Sequence, residues 1–225
     1  MNSRTPRLVI LISGTGSNMA ALLNACENGE IDGRVAAVVS NRANAKGLDV
    51  ARGAGIATRV VDHRAFADRE HFDAALAREI EAFEPDLVIL AGFMRILTPG
   101  FVDRFHGRIM NIHPSLLPKY PGLNTHRRAI EAGDSEAGAS VHFVTTELDG
   151  GPVIIQARVP VHEGDTEESL ASRVLKVEHR IYPLAVQLFC QGRLTMDSTG
   201  VHLDGEPLPA SGLEYSEQSV NLTIQ

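Results

Sequence analysis

The chain has no tryptophan, only two cysteines and only 5% aromatic residues among its 225 positions. Cys26 and Cys190 lie far apart, and no Cys-x-x-Cys or His-x-x-x-His pairing occurs. That excludes a zinc-type cluster and a disulfide framework, and both thiols read as small buried hydrophobes. No apolar run approaches the length that crosses a bilayer. Residues 8–12 are too short for a signal-peptide core and lead into glycines, so the expected location is the cytoplasm. No basic run is present and the formal charge is −7, which argues against a sequence-independent nucleic-acid binder. A Gly-x-Ser-x-Gly elbow and a P-loop are both missing, which removes a covalent acyl-enzyme and P-loop ATP hydrolysis.

What is there begins with Leu8, Val9, Ile10, Leu11 and Ile12, apolar and β-forming throughout. Such a run suits a strand covered on both faces. Ser13, Gly14, Thr15, Gly16, Ser17 and Asn18 follow, then a helical pattern through Met19, Leu22, Leu23 and Cys26, ended by Asn28 and Gly29. A strand, a glycine loop and a helix in that order offer free backbone amides to a phosphate. The dinucleotide fingerprint is incomplete. Met19 stands at its third glycine, and the second strand, residues 35–39, ends in Ser40, Asn41 and Arg42 with no carboxylate for a ribose. A single phosphate, as on a ribose 5-phosphate, fits better than NAD; a tight turn with no ligand is the bland alternative.

The alternation continues with a helix over 45–53, a strand over 56–61, a helix over 68–83 and an apolar strand over 87–91. This predicts an α/β fold, a doubly wound and mostly parallel mixed sheet with helices on both faces. Ligands bind beyond the carboxyl ends of such strands, where residues 13–18, 92–99 and 113–122 would gather. Residues 92–97 are unusually apolar for a loop, tucked onto the core or forming a wall for a flat ligand. Residues 138–145 alternate as a strand, with Ala139, Val141 and Phe143 on one face and Ser140, His142 and Val144 on the other, and with residues 153–161 they read as an antiparallel pair. Residues 166–190 read as a long amphipathic helix that Pro183 should kink or split. Residues 193–196 and 201–203, around Asp204 and Gly205, suggest a short terminal hairpin, and the residues after Gly212 read as polar and loose.

The most informative stretch runs over 110–122. In an extended chain Asn111 and His113 project to one side and Ile112 to the other, before Pro114 ends the pattern. An amide can hydrogen-bond a developing oxyanion and an imidazole can move a proton near neutral pH. A capping Asn and a surface His are the alternative. Asp149, ahead of Gly150 and Gly151, reads alone as a turn residue; beside His113 it would favour the imidazolium. With no nucleophile or metal motif, the set suits direct transfer to an amine carried by a substrate.

These residues, in this order and spacing, resemble the phosphoribosylglycinamide formyltransferases, folate-dependent formyltransferases of purine synthesis. The resemblance covers residues 7–212 and rests on the Ser13–Asn18 loop, the Asn111-to-Gly122 stretch and the Glu147-to-Pro152 turn. It implies one formyltransferase domain over 1–212 and a polar tail over 213–225. It implies transfer of the formyl group of 10-formyltetrahydrofolate to glycinamide ribonucleotide, without a metal. By motif position, Asn111, His113 and Asp149 match the family's catalytic Asn, His and Asp. In the family the His is the general acid, the Asn stabilises the tetrahedral intermediate and the Asp raises the imidazole pKa. Gly16, Ser17 and Asn18 match the loop holding the substrate phosphate, and Glu178 a glutamate on the sugar nucleotide. Arg69, Met94, Arg95, Ile96, Leu97 and Asn111 match folate-binding positions. Asn124 departs from the pattern, standing where a His is common.

The implied partners are these two small molecules, with no nucleic acid or membrane, and the chain is expected to be a monomer or homodimer. Two other readings stay open. One is another formyl-handling enzyme: a formyltetrahydrofolate hydrolase with an added N-terminal domain, or a methionyl-tRNA formyltransferase with an added C-terminal one. Neither addition is expected, since the first strand starts at Leu8 and only a short tail follows the last helix. The other is a non-catalytic nucleotide-binding module, which the intact Asn, His and Asp set opposes.

Overall fold

The computed structural model describes residues 4–216. The first half alternates strands β1 (Arg7–Ile12), β2 (Arg34–Ser40), β3 (Ala57–Val60), β4 (Leu87–Leu90) and β5 (Ile109–His113) with helices α1 (Ser17–Glu27), α2 (Gly47–Gly53), α3 (Arg69–Glu81) and α4 (Pro99–Arg104). These five strands are parallel, in the spatial order β5-β4-β1-β2-β3. After α5 (Thr125–Glu131), β6 (Glu136–Phe143) returns antiparallel beside β5, and β7 (Val153–Pro160) pairs antiparallel with β6. Helix α6 (Glu167–Cys190) then leads to β8 (Leu194–Asp197), β9 (Gly200–Leu203) and β10 (Glu206–Pro207), a separate three-stranded sheet.

The apolar runs make this sheet because they are covered on both sides. Leu8, Ile10 and Ile12 pack with Met19 and Leu22 of α1 and with Val174, Ile181 and Tyr182 of α6. Val9 and Leu11 point the other way, onto Phe72, Leu76 and Ile80 of α3 and Phe101 and Val102 of α4. Each large side chain so buried contributes about 1.5–3 kcal/mol. Helix starts are marked locally. Asp68 accepts a hydrogen bond from the His71 N–H at 2.8 Å. Thr166 and Ser169 cap α6 reciprocally.

Four features differ from the sequence expectations. Helix α4 lies just past the stretch read as a loop; Thr98 caps it and Pro99 occupies its first turn, local signals that the apolar run before them masked. Pro183 does not split α6, which is one 24-residue helix. A lost backbone bond and ring clash cost about 3 kcal/mol, but the neighbouring Ile181, Tyr182, Val186 and Leu188 are all buried, and their burial outweighs it. The first terminal hairpin turns at Ser198 and Thr199, where Asp197 accepts the Thr199 N–H at 2.7 Å. Asp204 and Gly205, both at positive φ, instead join β9 to β10. Finally, β11 (Leu213–Tyr215) lies beyond the expected boundary at Gly212 and adds to the main sheet, parallel to Ile155, Gln156 and Ala157 of β7. Three residues carry too little alternation to read as a strand. The rest of the expected tail, residues 217–225, lies outside the described residues.

Candidate active site

The loops after β1, β2, β4 and β5 leave the same edge of the sheet. After β1, Gly16 sits at φ 75° as the N-cap of α1, with no side chain capping the helix. The first-turn amides of α1 therefore stay open to an anion. Glycine suits this left-handed position. The loop lines a cleft of about 250 Å³ shared by Ser13, Gly14, Thr15, Gly16, Ser17, Asn18, Arg42, Ala91, Gly92 and Met94. Just inside it, the Asn18 amide donates to Glu178 Oε2 at 2.7 Å. Burial pushes the Glu178 carboxyl above the usual carboxylate range, and the Asn18 bond pulls the other way. The Asn18 Oδ1 atom is buried without a partner, an acceptor left for a donor.

The apolar stretch after β4 follows both ideas at once. Phe93 and Leu97 are buried against the α3 side of the core, while Met94 and Ile96 are 59% and 58% exposed. The stretch is held at both ends. The Met94 N–H donates to Ser13 Oγ at 2.8 Å, and the Thr98 N–H to the buried Asp73 at 2.6 Å. Arg69, at the start of α3, donates to the Ile96 carbonyl at 3.0 Å. Arg95 between them is half-buried.

On the same edge, next to β4 on its other side, β5 presents Asn111 and His113 on one face, with Met110 and Ile112 packed into the opposite core. His113 is only 5% exposed, not a surface residue. Its Nε2 donates to the Tyr120 carbonyl at 2.8 Å, and its Nδ1 lies 3.5 Å from Asp149 Oδ2. The same oxygen accepts the Gly122 N–H at 2.8 Å. Asp149 is thus no ordinary turn residue. The β6–β7 connection starts opposite the amino half of β5, with Phe143 against Met110, yet its Asp149 reaches His113 at the carboxyl end. The connection therefore runs back along the sheet face. Asp149 takes a φ of 51° there, a left-handed conformation that Asp tolerates better than most residues.

A family model described as formyl transferase matches residues 6–186. The chain belongs to the formyl transferase family. It is 56% identical over 210 residues to the phosphoribosylglycinamide formyltransferase of Escherichia coli strain K12, covering 93% of this chain and 99% of that one. Among solved structures, the phosphoribosylglycinamide formyltransferase of Coxiella burnetii superimposes with a TM-score of 0.91 at 46% identity, covering 95% of this chain and 100% of that one. A glycinamide ribonucleotide transformylase of Symbiobacterium toebii gives a TM-score of 0.87 at 50% identity, over 90% and 95% of the two chains.

Within this formyl transferase fold, several polar residues join the site without having been singled out. His142 faces Asn111 across the β5–β6 pair. Its Nδ1–H donates to the Phe143 carbonyl at 2.9 Å, which leaves Nε2 as an acceptor for the Asn111 amide at 3.2 Å. Burial holds this imidazole below the ordinary histidine range, against the opposing pull of the Phe143 carbonyl and of Asp149. Ser140 and Gln156 pin the loop after β5. The Ser140 hydroxyl donates to the Ser115 carbonyl at 2.6 Å and accepts the Leu117 N–H at 3.0 Å. Gln156 donates to the Leu117 carbonyl at 2.7 Å. Arg42 is the one cation among the residues lining the cleft, and it follows the same strand end that lacks a carboxylate for a ribose. The signal for His142 and Ser140 was the alternation of β6, which put them on the polar face. Among the described residues no group of three or more His, Cys, Asp or Glu side chains is placed to hold a metal. No helix among them is long and apolar enough to cross a membrane.

Proposed function

We propose that this formyl transferase moves the formyl group of 10-formyltetrahydrofolate to the amine of glycinamide ribonucleotide, giving formylglycinamide ribonucleotide and tetrahydrofolate in purine synthesis. The observation that carries the reading is the convergence of Asn111, His113 and Asp149 on the sheet edge that also carries the Ser13–Asn18 cleft and the exposed Met94 and Ile96. The relatives named above support the same choice of substrates.

The ribonucleotide phosphate occupies the open amides of Gly16, Ser17 and Asn18, with its sugar toward Glu178. The folate lies along Met94, Arg95, Ile96 and Leu97, with Arg69 beside them and Asn111 at its reacting end. The substrate amine attacks the formyl carbon directly. Asn111, one amide hydrogen held by His142, offers the other to the developing oxyanion. A proton leaves the amine and one reaches the folate nitrogen as the old carbon–nitrogen bond breaks. His113, with Asp149 at its Nδ1, serves that transfer. Residues 1–212 with β11 act as one domain, the enzyme works in the cytoplasm on these two small molecules, and nucleic acid is no partner.

The test is to supply 10-formyltetrahydrofolate with and without glycinamide ribonucleotide. Formyl transfer that requires the ribonucleotide is expected. Deformylation that proceeds equally without it would replace the reading by a folate hydrolase.

A further inference from the structure

A buried hydrogen-bond chain crosses the carboxyl ends of three adjacent strands, and the reaction scheme does not use it. Ser13 follows β1, Asn41 follows β2 and Met94 stands shortly after β4. The Met94 N–H donates to Ser13 Oγ at 2.8 Å, and the Ser13 hydroxyl donates in turn to Asn41 Oδ1 at 2.6 Å. Asn41 is fully buried and Ser13 is 4% exposed. With its oxygen so engaged, the Asn41 amide nitrogen faces His63 Nδ1 at 3.2 Å, and that same ring nitrogen lies 3.1 Å from the Asn41 carbonyl. The Ser13 N–H also donates to the Gly92 carbonyl at 3.1 Å.

Ser13 opens the phosphate loop, and Met94 opens the exposed apolar stretch. The two stretches meet in one cleft, where Ala91, Gly92 and Met94 face residues 13–18, and beyond the β1–β4 pairing and its backbone bonds the Ser13 hydroxyl is the side-chain link that ties Met94 to the phosphate loop. We propose that Ser13 and Asn41 are positioning residues, a latch that sets the spacing of the sugar-phosphate pocket from the folate pocket. The inference rests on the assignment of those two pockets under the proposed function. Direct transfer needs the amine and the formyl carbon in near-contact, and a misplacement of about 1 Å can cost a hundredfold in rate. A latch that governs spacing therefore acts on turnover at saturation. It acts little on the binding of either substrate alone.

The experiment compares the full-length parent enzyme with Ser13→Ala, Asn41→Ala and the double variant, measuring kcat, both KM values and Tm. For Ser13→Ala, kcat is expected to fall about tenfold or more with each KM within about threefold. The double variant should be no slower than the slower single one, because the two side chains act as one unit. Asn41→Ala removes a fully buried polar group and can fail to fold; Ser13→Ala, which deletes one oxygen, then carries the test alone. An unchanged kcat with a lowered Tm would overturn the latch in favour of a purely structural role. A rise in one KM alone would also overturn it, by placing the residue in that pocket. A parent enzyme that fails to formylate glycinamide ribonucleotide would sink the proposed function instead, so the two failures are distinguishable.

Discussion

Asp149→Asn separates the chemistry of the site from its folding. The Asp149 side chain is 9% exposed; it accepts the Gly122 N–H at 2.8 Å and lies 3.5 Å from His113 Nδ1 and 3.9 Å from His142 Nε2. Asparagine keeps the shape and an oxygen that can still accept from Gly122. It also tolerates the positive φ of this position, as Asp does. What it loses is the charge beside His113. Exchanging a charge-assisted bond to Gly122 for a neutral one costs about 1 kcal/mol, or about 2–4 °C in Tm for a domain of this size. Loss of an effective acid–base partner costs at least about a hundredfold in kcat, equal to about 2.7 kcal/mol of barrier. The effect on the barrier thus exceeds the effect on stability. Asp149→Ala reverses the balance for folding: it leaves the Gly122 N–H unpaired, about 1–3 kcal/mol, and strains the left-handed position. Steady-state transfer from 10-formyltetrahydrofolate to glycinamide ribonucleotide, with thermal unfolding of the same samples, reads both quantities. An Asn variant whose kcat stays within about threefold of the parent would refute the role of the carboxylate in proton transfer.

Three other changes test neighbouring parts. A Cβ on Gly47 would lie 2.6 Å from Ile12 Cδ1 and 3.2 Å from both the Gly16 Cα and the Thr15 carbonyl; Gly47→Ala should displace the phosphate loop and raise KM for the ribonucleotide about fivefold or more, and an unchanged KM argues that the loop does not hold that substrate. The Tyr182 hydroxyl lies 2.9 Å from the Leu90 carbonyl and 3.0 Å from the Met110 carbonyl, and burial keeps it protonated by pushing its pKa well up; Tyr182→Phe should destabilise by about 1–3 kcal/mol in urea unfolding, and a neutral result means water replaces the hydroxyl. Because burial lowers the His142 pKa on folding, the unfolded chain binds the extra proton first as pH falls. Stability should therefore drop as pH is lowered through the ordinary histidine value of about 6.5 toward the folded one; His142→Gln should flatten that limb of the unfolding-versus-pH curve, and an unaltered slope assigns it to other groups.

The parallel half of the fold was legible because each signal was local. Five β-forming residues at 8–12 and four at 87–90 are buried on both faces, and the glycines and helical periods between strands follow within a few positions. Where a feature depended on a distant partner, the sequence was silent. β11 is a strand only because Ile155, Gln156 and Ala157 offer an open edge some sixty positions earlier. Pro183 reads as a breaker by local rules, and only the buried neighbours along α6 overrule it.

The site divides along the same line. Two-residue periodicity along one strand was enough to put Asn111 and His113 on one face of β5. What orients Asn111 comes from the next strand, and pairing over 31 positions leaves no mark in either segment alone. Desolvation keeps His142 neutral, the Phe143 carbonyl takes its Nδ1–H, and Nε2 is then the one ring atom able to accept the Asn111 amide. An imidazolium at this position would present a donor to that amide nitrogen and reverse the arrangement. The neutrality of His142 is therefore part of the reason that Asn111 can present its remaining amide hydrogen in a fixed direction. The polar face of β6, read from sequence only as alternation, is what converts two side chains at a strand end into an oriented pair.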